Sequence, residues 1–130
     1  MLRVLIAAAA ALAVVSTASA ARQARTDKGL EKLDPSARFE QVCDIEAMTR
    51  IGRDKASHKP DRAVAYALGE PSVEGDVIEA PGAAFRSAGK WYRMTFRCKA
   101  SPDRMRVEEF SYTVGAEIPE EDWLHLGLPQ

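Results

Sequence analysis

Trp91-Tyr92-Arg93-Met94-Thr95-Phe96-Arg97-Cys98 is the stretch whose reading decides the fold. Apolar and polar side chains alternate along it, and a period of two belongs to a β-strand buried on one face. Tyr92, Met94, Phe96 and Cys98 fall on one face; Trp91, Arg93, Thr95 and Arg97 fall on the other. Cys98 thus points at the core, and Cys43 is the only other cysteine in the 130 residues. A bond between them requires the element that carries Cys43 to lie over the apolar face of this strand.

That element reads as a helix. Leu33-Asp34-Pro35 supplies a capping carboxylate followed by a proline, whose missing N–H needs no partner in a first helical turn. Phe39, Val42, Cys43 and Ala47 then recur at helical spacing, with Met48 and Ile51 widening the apolar surface, so the helix runs from about Pro35 to about Gly52. Gly52 to Pro60 is charged and closes with a proline, which predicts a loop with His58 exposed in it. From Arg62 to Leu68 the period changes to two, placing Val64, Tyr66 and Leu68 on one face of a strand. A second strand starts at Val77, is bent or broken at Pro81-Gly82, and continues through Phe85. Ser87-Ala88-Gly89-Lys90 is hairpin-turn chemistry leading into the Trp91 strand. Ser101-Pro102-Asp103-Arg104 makes the next turn, and Arg106 to Val114 is the last strand, with Phe110, Tyr112 and Val114 inward and Gly115 ending it. Beyond it, Ile118 to Trp123 predicts one acidic helical turn, after which Trp123, Leu124, Leu126 and Leu128 cover the remaining core edge. The fold class is α+β: an N-terminal helix packed on an antiparallel sheet of about four strands, two layers and one disulfide.

The first twenty residues say where this domain goes. Met1-Leu2-Arg3 is a short basic start, Val4 to Val15 an unbroken apolar run, and Ala18-Ser19-Ala20 a small-residue cleavage pattern, together a secretory signal peptide cut between Ala20 and Ala21. The apolar run is too short for a helix that spans a bilayer, so no transmembrane segment is expected in the mature chain. Residues 21–32 are polar, with little apolar periodicity, and read as a flexible leader before a single domain over 33–130. Export implies an oxidising compartment, periplasmic if the host is Gram-negative and extracellular otherwise, where two cysteines pair. The mature chain has 17 basic and 19 acidic residues once Arg3 is removed with the signal. That balance predicts no bulk attraction to nucleic acid or anionic lipid and leaves room for a locally basic patch.

Leu33-Asp34-Pro35, Glu40-Gln41, Cys43-Asp44, Pro60-Asp61-Arg62, Ala83-Ala84-Phe85-Arg86, Trp91-Tyr92, Cys98, Phe110, Tyr112, Gly115 and Trp123 together make the chain similar to the exported bacterial family known as domain of unknown function 930. The resemblance spans nearly all of the mature domain. It implies export, one small domain and two cysteines acting together, and it carries no catalytic or ligand-binding residue over to this sequence.

Chemistry is sparse. Cys43, His58, Cys98 and His125 are zinc-ligand types but lack the short paired spacings of a structural site, and a disulfide uses both sulfurs; no metal and no cofactor is implied. No serine lies in a nucleophile-elbow context, and no glycine-rich phosphate loop appears. Glu40 with Asp44, at helical spacing, and Glu108 with Glu109, on opposite strand faces, read as surface charges; as an acid/base pair they would support a small envelope hydrolase. The strongest candidate is the outer face of the Trp91 strand. Trp91, Arg93 and Arg97 share it, and Arg86 and Arg62 join them if the neighbouring strands are adjacent, a combination suited to a small anionic or sugar ligand or an envelope protein. The simpler account is cross-strand pairing of Arg97 with Glu109 and Thr95 with Ser111, with Trp91 covered by the segment around Trp123. The reading that results is an exported, non-catalytic binding module. Its alternatives are the carboxylate hydrolase and a structural subunit that assembles through an apolar patch around Trp123 and Leu128.

Overall fold

The computed structural model describes residues 2–130, and for residues 2–16 the backbone alone. Met1 and the side chains of the apolar run in the expected signal peptide lie outside the described residues. The chain forms two units, one up to Leu33 and one over Asp34–Gln130.

The first unit is a single helix, α1 (Leu2–Glu31). Residues 21–31, in the segment read from the sequence as a flexible leader, are helical. Ala, Gln, Arg and Lys are strong helix formers and need no apolar periodicity to hold the conformation. The side chain of Gln23 also donates to Asp27, one turn on, at 2.8 Å. Ala20 and Ala21 lie within this helix and are exposed.

The second unit opens with α2 (Pro35–Asp54), capped by the Asp34 carboxylate, which accepts from the backbone N–H groups of Ser36 and Ala37 at 3.1 Å each. Five strands follow: β1 (Pro60–Val64), β2 (Ser72–Glu74), β3 (Val77–Ser87), β4 (Lys90–Ala100) and β5 (Val107–Glu117), then a short helix α3 (Glu120–Trp123). All pairings are antiparallel, in the order β1-β3-β4-β5, with β2 on the same edge of β3 as β1. A helix laid on this sheet is the predicted α+β class, with β2 as an added strand too short and polar to announce itself in the sequence. Ala88 and Gly89, at φ 51° and 74°, make the β3–β4 hairpin turn.

Cys43 on α2 and Cys98 on β4 are joined, with Cα atoms 6.0 Å apart, and both are fully buried. Phe39, Val42, Ala47 and Ile51 from α2 pack with Ile78, Ala80, Phe85, Met94 and Phe96 in the buried core of this unit. Arg104, in the turn before β5, adds a clamp. It pairs with Asp76, donates to the Gly75 carbonyl at 3.1 Å and lies 4.1 Å over the Phe39 ring, tying two turns to the start of α2.

Three expectations are corrected. The strand over Arg62–Leu68 ends at Val64, and Ala65 and Ala67 are buried while Tyr66 is 55% exposed. The chain leaves the sheet there to cross the Pro81-Gly82 bulge, where Leu68 N–H donates to the Gly82 carbonyl at 2.7 Å. Gly82 is required for that crossing, since a Cβ would sit 2.4 Å from the backbone nitrogen of Gly69. Gly82→Ala is expected to cost about 1–3 kcal/mol as an overpacked contact, measurable by urea unfolding. Secondly, β5 continues to Glu117, with a bulge near Gly115, whose absent Cβ would lie 3.0 Å from that of Arg93. Finally, Leu124 is 92% exposed, because the single turn of α3 buries Trp123 and turns its successor to solvent.

The C-terminal segment builds a second, smaller core on the outer face of the sheet: Ala67, Ala84, Trp91, Ile118, Trp123 and Leu128, with Val64, Leu68 and Leu126 packed against it. At that end the unit has three layers. The patch around Trp123 and Leu128 that an assembly subunit would expose is thereby occupied within the chain.

Candidate functional site

The register of the sheet sorts the five candidate residues into two groups. Arg62 stands opposite Arg86, and Arg86 opposite Trp91, forming one row across β1, β3 and β4. The C-terminal tail lies over the Trp91 and Arg86 part of this row. Trp91 has no exposed surface, and its indole N–H donates to the Pro129 carbonyl at 2.8 Å. Its place among the exposed candidates is corrected: Trp91 lies on the outer face, as its periodicity requires, and the tail covers it. Arg86 grips Asp61 with two hydrogen bonds, at 2.6 and 3.0 Å, and reaches the Gln130 carbonyl at 3.5 Å. The Arg86 side-chain hydrogen bonds hold the Asp61 carboxyl below its usual range. Arg62 is exposed and makes no ion pair among the described residues. It lines a separate groove of about 390 Å³ with Gln41, Met48 and Pro129.

Arg93 and Arg97 lie further along β4, where the tail no longer covers the outer face. The register there is two residues on from the expected one: Thr95 faces Thr113, Arg97 faces Ser111 and Lys99 faces Glu109. Thr95 and Thr113 hydrogen bond through their hydroxyls. Arg97 reaches Glu79 on one side and Glu109 on the other, each at 3.6 Å, which is the length of loose, solvated pairs. Arg93 is exposed and has no ion pair among the described residues.

These side chains floor a trough. A depression of about 400 Å³ is lined by Thr95, Arg97, Ser111 and Thr113, with Glu70, Ser72 and Pro81 at its side. A second of about 360 Å³ shares Pro81, Thr95 and Thr113 and adds Arg93 and Leu68. The connection between β1 and β2, with Leu68 and Glu70, makes the wall. Such a surface offers hydroxyls, two guanidinium groups and flanking carboxylates.

The remaining candidates sort plainly. The disulfide occupies both sulfurs, and no cluster of three metal-ligating side chains occurs among the described residues. His125 is exposed. His58 is corrected from an exposed loop residue to a half-buried ring packed edge-on against Phe85 and Tyr92, with centroids 5.1 and 4.6 Å away. Glu108 reaches Lys99 at 3.8 Å. The pair Glu40 and Asp44 is the larger correction. Asp44 is 5% exposed, its Oδ1 has no hydrogen-bond partner, and burial, reinforced by the charge of Glu40, pushes its carboxyl up to about 8. Burial and the charge of Glu70 raise Glu40 as well. The signal was present in the sequence, because Asp44 lies three residues before Ala47 and seven before Ile51, on the inner arc of α2. A raised carboxyl beside another is the pattern of an acid/base pair, and here burial on the inner arc of α2 is its main cause.

The fold and site define a small disulfide-linked α+β domain with an open polar trough on its sheet. The family described as Domain of Unknown Function (DUF930) matches residues 30–128, and the chain belongs to it. No curated protein and no solved structure matches the chain. Among the described residues no helix is long and apolar enough to cross a membrane.

Proposed function

We propose that this protein is an exported, non-catalytic binding module that holds a polar ligand, an anionic or sugar group or an envelope protein, in the trough of its outer sheet face. The observation that carries the reading is Arg93: an exposed residue whose guanidinium has no ion pair among the described residues, beside the hydroxyls of Thr95 and Thr113 on a concave surface. A fixed donor fork left unpaired next to hydroxyls is free to take a carboxylate, phosphate or carbonyl from a partner. Arg97 is held only by pairs at 3.6 Å and can change partners at small cost. Export rests on the basic start, the apolar run and the small residues ending at Ala20, and the buried disulfide is in keeping with an oxidising compartment. In a host with an outer membrane the destination is the periplasm; otherwise the protein is secreted.

The test is affinity capture by the oxidised protein from envelope extract, with native mass spectrometry of what is retained. Arg93→Glu together with Arg97→Glu should reduce capture tenfold or more, since truncating or reversing a charge in a hydrogen-bonded contact costs about 2 kcal/mol or more. Both side chains are surface groups, so the melting temperature should stay within a few degrees of the parent. Undiminished capture by the double variant counts against the trough. Intact mass of the protein recovered from the periplasm of an expression host checks the processing, with Ala21 expected as the first residue.

A further inference from the structure

α1 sorts its charges. Arg22, Arg25 and Lys28 follow one another at intervals of three within the helix, and Lys32 follows directly after its end; all four are exposed. At 3.6 residues per turn the three helical cations span an arc of about 120°. Asp27 falls on the far side of the helix, whereas Glu31 continues the row one step beyond Lys28, about 60° from it, and closes the stripe with a single acidic charge. In the mature segment only small residues, Ala21 and Gly29, lie between these exposed cations. Charge is divided along the chain in the same sense. Residues 21–33 carry four basic against two acidic side chains, while residues 34–130 carry 13 basic against 17 acidic. Most of this segment precedes residue 30, where the family match begins.

We propose that this basic stripe docks the mature protein on an anionic lipid surface. The argument is charge complementarity: each cation held near such a surface adds about 1 kcal/mol, close to fivefold in partitioning, and the effect dies within a screening length. The stripe lacks the bulky apolar residues with which an amphipathic helix inserts between acyl chains, so attachment is electrostatic and reversible. The four acidic charges in excess on the remainder of the chain oppose attachment, which keeps it weak and makes it depend on the stripe. This inference rests on the export and processing proposed above, and its test separates the two.

Protein recovered from the periplasm of an expression host, its first residue established by intact mass, is sedimented with vesicles of phosphatidylcholine alone or with added phosphatidylglycerol. Binding is expected only with phosphatidylglycerol, and it should vanish in about 1 M salt, where the screening length falls to about 3 Å. Neutralising Arg22, Arg25 and Lys28 to Gln should lower partitioning about a hundredfold, with helix content and disulfide retained. Equal binding to both vesicles, binding that survives high salt, or an unaltered triple variant overturns the proposal. So does retention on heparin without retention on phosphatidylglycerol vesicles. A mass that still includes residues 1–20 counts against the processing alone. The charge variants then remain decisive, because attachment through the apolar run would resist both salt and neutralisation.

Discussion

Removing the bridge between α2 and β4 should cost about 4 kcal/mol of unfolding free energy. The two sulfurs close a loop with a sequence separation of 55, and in the chain-entropy treatment a loop of that length lowers the entropy of the unfolded chain by this amount. Domains of this size have net stabilities of only about 5–15 kcal/mol, so the loss is a large share of the total. The geometry points the same way. Cys43 and Cys98 have no exposed surface, and the bridge lies where α2 meets the centre of the sheet. Cys43→Ala with Cys98→Ala should shift the urea midpoint sharply downward, and reductant should leave the double variant unaffected while lowering the parent toward it. A change below about 1 kcal/mol would mean that the α2–sheet core holds the layers together unaided.

Asp44 predicts a pH dependence of comparable size. Unfolded, this carboxyl loses its proton near 3.8; folded, burial on α2 beside Glu40 keeps the proton to about 8. Between those values the unfolded chain binds fewer protons at this site than the folded one, so the Asp44 contribution to stability is full below pH 3.8 and is lost as pH rises toward 8. At about 1.4 kcal/mol per pH unit the loss by pH 7 reaches about 4 kcal/mol as an upper bound. Asp44→Asn keeps the shape of the side chain and removes the proton. The variant should show a nearly flat denaturation midpoint from pH 5 to pH 8, while the parent weakens steadily, with Glu40 leaving a smaller slope in the same direction. Identical slopes for parent and variant would show that Asp44 is ionised within the fold.

Much of the fold was legible because its determinants are local. The cap at Asp34-Pro35, the helical spacing through Ile51, the hairpin at Ala88-Gly89 and the alternation from Trp91 to Cys98 each act over a few residues and survive intact. The misreadings share a cause of the opposite kind. Tyr66 alternates correctly with its neighbours, yet the chain departs from the sheet after Val64 to cross the Pro81-Gly82 bulge. The register of β5 on β4 differs by two residues from the expected pairing, which preserves every inward face and changes the residues directly opposite Arg97 and Thr95, while Arg97 still reaches Glu109 diagonally.

From the sequence alone came the two-sided strand, the helix above it and the cysteines that join them, since periodicity, caps and turn residues are written in neighbouring positions. Tertiary structure decided which outward residues meet solvent. Periodicity assigns Trp91, Arg93 and Arg97 to one face, but the return of Ile118, Trp123 and Leu128 over the first and the absence of any cover over the others separate a buried core from an open trough. The same holds for Asp44, whose proton depends on what packs around it. Neighbouring residues record the face a side chain takes, as the spacing of Asp44 to Ala47 and Ile51 does, but how fully it is enclosed is decided by distant segments brought together.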